Sequence, residues 1–191
     1  MSETNLNVFR TQGFALPAEC SEIVSAYERC RGRYSFRTGD PFFDYRVLWI
    51  NSFPDNENDA RRILQGWRRR AVQIVSENAG RSLYSDTIQV VRWNGQEMPP
   101  HQDDRHPDGS LHDTPWRKWA SVIYLNDDYE GGEIYFPDIG LSHKPAAGTL
   151  LCFEGSLRHG VRAVTRGLRY TSPGWYSSDP IREDPWARVQ Y

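Results

Sequence analysis

Apolar residues recur at helical spacing in two places within the first eighty positions. In "LPAECSEIVSAYERC" (16–30), Leu16, Cys20, Ile23, Val24 and Tyr27 share one face, and Pro17 suits a first helical turn. In "DNENDARRILQGWRRRAVQIVSENAG" (55–80), Ile63, Leu64, Trp67, Ala71, Ile74 and Val75 make the buried stripe of a longer helix, which Gly80 ends. Arg68, Arg69 and Arg70 fall on the side that this periodicity makes polar and solvated. Between the two helices, "YSFRTGDPFFDYRVLWINSF" (34–53) has two aromatic or β-branched runs split by Gly39-Asp40-Pro41, which predicts a hairpin. After Gly80 the pattern changes. Short apolar runs follow one another with Gly, Pro, Asn and Asp between them: "TIQVVRW" (87–93), "WASVIYLN" (119–126), "GEIYFPD" (132–138), "GTLLCFEG" (148–155), "HGVRAV" (159–164) and "LRYTSPGWYS" (168–177). Evenly spaced short strands of this kind predict a sandwich, barrel or jelly roll. Two helices leading into such a sheet make the chain α+β.

Composition narrows the function classes. The 191 residues suit one domain, and seven Trp, ten Tyr and eight Phe can fill a sizeable core. A net charge of −2 gives no global electrostatic footprint for nucleic acid or an anionic membrane. No apolar stretch approaches the roughly 20 residues that cross a bilayer, and "MSETNLNVFR" has neither the basic head nor the apolar run of a signal peptide. Cys20 and Cys30 lie ten apart in a helical pattern, ~15 Å along the axis, too far for a disulfide. With Cys152 the count is three, which fits a reducing cytoplasm.

Candidate chemistry gathers at "EMPPHQDDRHPDG" (97–109). His101 and Asp103 are two apart, and on a strand residues i and i+2 point the same way. Gln102 and Asp104 would face the opposite side. A third ligand is needed, and His159 is the best candidate, opening a strand after "EGSLR" with Gly160 leaving room beside it. Two His and one carboxylate with other positions open suit a non-haem Fe(II) oxygenase, whereas a closed zinc site wants four ligands, mostly Cys and His. His106, His112 and His143 read as solvated or surface residues, and Asp104, Asp108 and Asp113 as loop solubilisers and turn formers. Ten residues beyond His159 stands Arg169, whose planar fork suits a carboxylate. An Fe(II) oxygenase that uses 2-oxoglutarate needs such a partner for the acid's far end. Arg158, Arg162 and Arg166 are rivals that strand parity turns outward.

The stretch from "IQVVRWNGQEMPPHQD" through "ASVIYLNDDYEGGEIYFPD", "KPAAGTLLCFEGSLRHGV" and "VTRGLRYTSPGWY" resembles the prolyl-4-hydroxylase-like branch of the Fe(II)/2-oxoglutarate dioxygenases. The resemblance implies a double-stranded β-helix (jelly roll) core flanked by N-terminal helices. One dioxygenase domain would then span 1–191, with helical and β support over 1–86, the core over 87–177 and a tail over 178–191. It implies His101, Asp103 and His159 as the iron triad and Arg169 as the clasp of the 5-carboxylate of 2-oxoglutarate. Tyr124 matches a tyrosine that assists the clasp. Trp93 stands where many relatives have a tyrosine touching the cosubstrate, although indole can only donate through its N–H. Trp175 matches a packing residue. The implied cofactors are Fe(II), 2-oxoglutarate and O2, with ascorbate as a candidate reductant. The outcome would be hydroxylation or another oxidation rather than chlorination, because halogenating relatives lack the carboxylate that Asp103 supplies. Asn126 and Thr171 are the guesses for groups that orient the ligands.

The expected substrate is an amino-acid residue, prolyl or other, of a peptide or protein, or a free amino acid or peptide-like small molecule. The segment "DRHPDGSLHDTPWRK" (104–118) reads as a lid or recognition loop, and "DYRVLWIN" (44–51) as a wall of the opening. In the tail, Trp186 either packs back or meets a partner. Two alternatives stand beside this reading: a nucleic-acid oxidative demethylase of the same superfamily, and a non-catalytic metal-binding jelly-roll module. The first wants a second Arg soon after Arg169 and a basic groove. No Arg follows Arg169 until Arg182, so nucleic acid is disfavoured, and no membrane partner is expected.

Overall fold

Two antiparallel sheets face each other, and two helices cover the outer side of the larger one. The structure is a computed structural model and describes residues 8–34 and 45–185. In chain order the elements are β1 (Val8–Thr11), α1 (Pro17–Tyr34), β2 (Val47–Trp49), α2 (Asn58–Ala79), β3 (Tyr84–Gly95), β4 (Met98–His101), β5 (Trp119–Tyr124), β6 (Glu130–Gly131), β7 (Ile134–Phe136), β8 (Leu141–His143), β9 (Leu150–Glu154), β10 (His159–Val161) and β11 (Val164–Ser177). The larger sheet runs β1-β9-β5-β11-β3-β2, with β6 also on β11; the smaller runs β4-β10-β7-β8. Successive strands β9, β10 and β11 alternate between the sheets, the winding of a double-stranded β-helix.

The large sheet is buried on both faces, so its strands read as near-continuous apolar runs. Parity separates the two faces. Ile88, Val90, Ile123, Leu150, Cys152 and Tyr170 pack on the helices, against Ile23, Tyr27, Leu64, Trp67 and Val75. Ala120, Tyr124, Leu151 and Phe153 turn towards Ile134 and Phe136 of the small sheet. On β3 and β11 the same alternation sends Gln89, Val91, Trp93, Arg169, Thr171 and Trp175 to a cavity between the sheets.

The first third departs from expectation in several places. Helix α1 runs on to Tyr34, and Leu16 lies before its start, 60% exposed, with its N–H donating to Glu19. Helix α2 begins at Asn58 behind a 3-10 turn over Asp55–Glu57, and it ends as expected on Gly80 in the left-handed conformation (φ 64°). Arg69 and Arg70 are exposed, but Arg68 is buried. Its guanidinium donates to Ser85 and pairs with Asp184 at 2.7 Å, because the C-terminal segment folds over that side of the helix. The predicted hairpin turn at 39–41 lies outside the described residues, as does Trp186; Val47–Trp49 pairs with β3. All three cysteines are free and buried. Among the described residues no helix is long and apolar enough to cross a membrane.

Candidate active site

The register of the small sheet sets His159 of β10 directly opposite His101 of β4. Their rings lie 4.4 Å apart, centroid to centroid. Asp103 sits two residues past the end of β4, where its N–H donates to the carbonyl of Gly155 at 2.8 Å. It therefore reaches the histidines from a turn rather than from the strand the two-residue spacing predicted. One ligating atom from each of His101, Asp103 and His159 lies within 4.8 Å of the others. Gly160 does not leave room beside His159. A Cβ there would sit 2.7 Å from the Met98 carbonyl and 2.8 Å from the Tyr135 ring, so glycine is what lets β4 and β7 flank β10 this closely.

Each histidine points one nitrogen at a backbone carbonyl. Nδ1 of His101 lies 3.1 Å from the Pro99 carbonyl and Nδ1 of His159 lies 2.9 Å from that of Leu157. A neutral ring that donates through Nδ1 presents Nε2 as a lone pair. His159 is buried against Phe153 and Phe136. Burial pushes its pKa below the usual histidine value, with the nearby His101 acting the same way and the Asp103 charge opposing. Asp103 keeps one carboxylate oxygen, Oδ2, buried without a hydrogen-bond partner among the described residues. Two imidazole lone pairs and an unshared carboxylate oxygen form a donor set that fits a divalent metal such as Fe(II).

The same cavity, about 90 Å³, is lined by Arg169 at another point of its wall. Arg169 is buried, Nη2 lies a long 3.4 Å from the Tyr124 hydroxyl, and Nε has no partner among the described residues. Tyr124 is fully buried beneath the guanidinium, 5.1 Å from ring centroid to Cζ, and burial raises its pKa against the opposing charge of Arg169. Trp93 lines the cavity, but its N–H donates to the Gln96 carbonyl at 2.8 Å, so it offers a ring face. Thr171 lines the cavity as well. Asn126 instead bonds the Leu168 carbonyl and the Tyr170 N–H, holding the strand that carries Arg169. The rival arginines face outward in ion pairs, Arg158 with Asp138, Arg162 with Glu97 and Arg166 with Glu130.

His101 and Asp103 also line an outer cleft of about 680 Å³. Much of its wall comes from three segments: Val47, Trp49 and Asn51; His112, Thr114, Trp116 and Arg117; and Ile181 through Pro185. The predicted wall over 44–51 and the predicted loop over 104–118 thus both reach it. Other parts of the cleft escape sequence reasoning. Asp86 accepts from Arg117 Nε at 2.7 Å and from Trp116 Nε1 at 3.3 Å. Trp175, expected as packing, is half-buried in the wall common to cavity and cleft, with the Arg117 guanidinium 4.3 Å over its ring. His112 is half-buried in the wall, while His106 is exposed and His143 half-buried beside Arg10. Asp104 is not a solvated loop residue: it is 1% exposed and accepts from Arg105 and Lys118. Burial alone would raise its pKa, but those two donors hold it below the usual carboxylate value. These residues bear no repeating pattern that would reveal their partners.

Comparison with known proteins adds a name to this architecture. Residues 88–177 match the sequence model of the 2OG-Fe(II) oxygenase superfamily. Prolyl 3-hydroxylase 2 of Rattus norvegicus is 38% identical over 73 residues, 35% of this chain and 10% of that protein. The chain spans only about a tenth of the length of the curated relatives it matches. A viral collagen prolyl hydroxylase from Paramecium Bursaria Chlorella virus-1, solved with 2OG, superposes with a TM-score of 0.67 at 20% identity, over 91% of this chain and 96% of that one. A prolyl hydroxylase from Trichoplax adhaerens, solved with a hypoxia inducible factor peptide fragment, gives 0.70 at 15% identity, over 93% and 86%. The fold is shared with both. Residues 88–177 thus carry the sequence pattern of the 2OG-Fe(II) oxygenase superfamily, and part of the chain is similar to prolyl 3-hydroxylases.

Proposed function

We propose that the chain hydroxylates an unactivated C–H bond in an Fe(II)- and 2-oxoglutarate-dependent reaction. In this reading His101, Asp103 and His159 hold the iron, and Arg169 with Tyr124 receives the far carboxylate of the cosubstrate. One observation carries it: the three ligating groups converge in a cavity that also contains a buried, under-bonded guanidinium. A buried charge left without a counter-charge is costly, and a carboxylate ligand relieves it. The bound metal, with 2-oxoglutarate and O2, supplies the oxidising power for C–H cleavage.

The protein's own groups do the arranging. The carbonyls of Pro99 and Leu157 orient the two imidazoles so that Nε2 faces the cavity. Burial keeps His159 neutral and ready to ligate. Phe136 and Phe153 exclude water from one side of the site. Trp93 and Val91 give the cavity that holds the metal ligands and Arg169 part of its apolar wall. The substrate then occupies the outer cleft, where it meets the exposed sides of His101 and Asp103.

The relatives are named for prolyl hydroxylation, and the cleft supports that substrate class. Trp49, Trp116 and Trp175 line it, and aromatic faces suit a compact apolar ring such as a prolyl side chain. A prolyl or other amino-acid residue of a peptide or protein is the first expectation, and a free amino acid or peptide-like small molecule the second. Free, buried cysteines support a reducing, cytoplasmic setting. The test is succinate release by the purified protein with Fe(II), 2-oxoglutarate and O2, screened against Pro-containing peptides, amino acids and metabolite extracts. Stimulated release that depends on both metal and substrate supports the reading. Wild-type protein that neither consumes nor binds 2-oxoglutarate ends it.

A further inference from the structure

Arg169 meets two tyrosines, and one of them was not foreseen. Tyr129, in the loop between β5 and β6, is 3% exposed, and its hydroxyl is buried without a hydrogen-bond partner among the described residues. The Arg169 side chain lies beside it, both meeting at Gly132; the guanidinium acts on the phenol oxygen by charge and as a long-range donor, and its own Nε is likewise unpartnered among the described residues. We propose that Tyr129 is a second tyrosine of the carboxylate clasp, its hydroxyl donating a hydrogen bond to the far carboxylate of 2-oxoglutarate beside Arg169. The inference rests on the cosubstrate reading given above.

The surroundings hold this ring from several sides while leaving its hydroxyl hydrogen without an acceptor among the described residues. Gly132 and Gly167 both adopt positive φ, 69° and 81°. A Cβ on Gly132 would lie 2.9 Å from the Tyr129 ring and 3.1 Å from Cδ of Arg169, and one on Gly167 would lie 3.1 Å from Tyr129 Cα. The two glycines therefore let tyrosine and arginine sit together. Val47, Val91, Trp93 and Val164 pack around the ring. The Lys144 ammonium lies 4.4 Å from its centroid and donates to the Tyr129 carbonyl. A site that needed only an apolar plug would be served by phenylalanine, since a buried hydroxyl without a partner is destabilising. Burial raises the phenol pKa to about 12 against the pull of Arg169, so at neutral pH the group is a donor, the form a carboxylate requires.

Tyr129→Phe removes the one oxygen and keeps the ring. Calorimetric titration of 2-oxoglutarate into Mn(II)-loaded protein, where no turnover occurs, is expected to show about tenfold weaker binding in the variant. Mn(II) affinity and the melting temperature of the ligand-free protein should not fall. Binding of 2-oxopentanoate, which has a methyl in place of the far carboxylate, should be the same in variant and wild type. Equal 2-oxoglutarate affinity in both proteins overturns the assignment. So does a loss that extends equally to Mn(II) or to 2-oxopentanoate, which would mark Tyr129 as packing only. If wild-type protein itself fails to bind 2-oxoglutarate, the cosubstrate reading falls first, so the two failures are distinguishable.

Discussion

The inner cavity and the outer cleft share His101 and Asp103 yet are built by different means. The cavity is assembled by backbone ladders. His159 stands opposite His101, Arg169 opposite Trp93 and Thr171 opposite Tyr124, each by strand register. The cleft is stitched by side chains from distant segments: Asp86 to Arg117 and Trp116, Arg68 to Asp184, and Arg182 stacked 3.9 Å over Trp116. Register slips in a sheet move every side chain to the opposite face, so chemistry placed on the ladders is held in a single geometry. Walls held by ion pairs and stacked rings can change partner without disturbing the sheet. Under the proposed function, the division separates a reaction held in fixed geometry from a substrate surface free to vary.

Four perturbations break or sharpen that division, in decreasing order of effect. His101→Ala or Asp103→Ala should reduce Fe(II)-dependent succinate release to background and abolish tight Mn(II) binding, with circular dichroism still showing a folded chain. Normal turnover in both variants would remove the metal assignment. Arg169→Ala should weaken 2-oxoglutarate binding on the order of a hundredfold, measured by calorimetry, with Mn(II) affinity retained. Asp184→Ala leaves the buried Arg68 without its carboxylate, and urea unfolding should register a loss of about 2 kcal/mol, short of the fully buried case because Asp184 is partly solvated. Its 2-oxoglutarate affinity should not move; if it does, cavity and cleft are not separable.

The smallest effect concerns pH. The folded-state pKa of His159 lies below its unfolded value of about 6.5, so folding favours the neutral ring. The stability this contributes is complete above about pH 6.5 and is lost as pH falls towards the lower folded value. Melting temperatures of metal-free protein at about pH 7.5 and about pH 5.5 should therefore drop less in His159→Gln than in wild type. An equal drop would show that His159 is not the group being titrated.

Much of the cavity was legible because it obeys short-range rules. His101 and Asp103 are near neighbours, His159 opens a strand, and parity on β11 puts Arg169 and Thr171 inward while Arg166 turns out to pair with Glu130. Parity misled only at Asp103, where the strand has already ended. The cleft was legible in outline alone: segments 44–51 and 104–118 were expected at an opening, but no periodicity links Asp86 to Arg117 or Arg68 to Asp184. Arg68 shows the limit clearly. Its helical position is polar by pattern, and it is buried because a segment 116 residues later covers it. Tyr129 escaped for a related reason, since loop residues carry no face.

By itself the sequence determined the α+β order, the apolar strands of a sheet buried on both faces, and the identities of the histidine, carboxylate and guanidinium groups that converge on the cavity. Those properties reside in spacing and side-chain chemistry, which are local. The tertiary structure alone decided which buried polar atoms are left without partners, which arginines are sealed from water, and which distant segments wall the opening. Those outcomes depend on packing across long sequence separations, where desolvation and contact are set by neighbours that no stretch of chain contains.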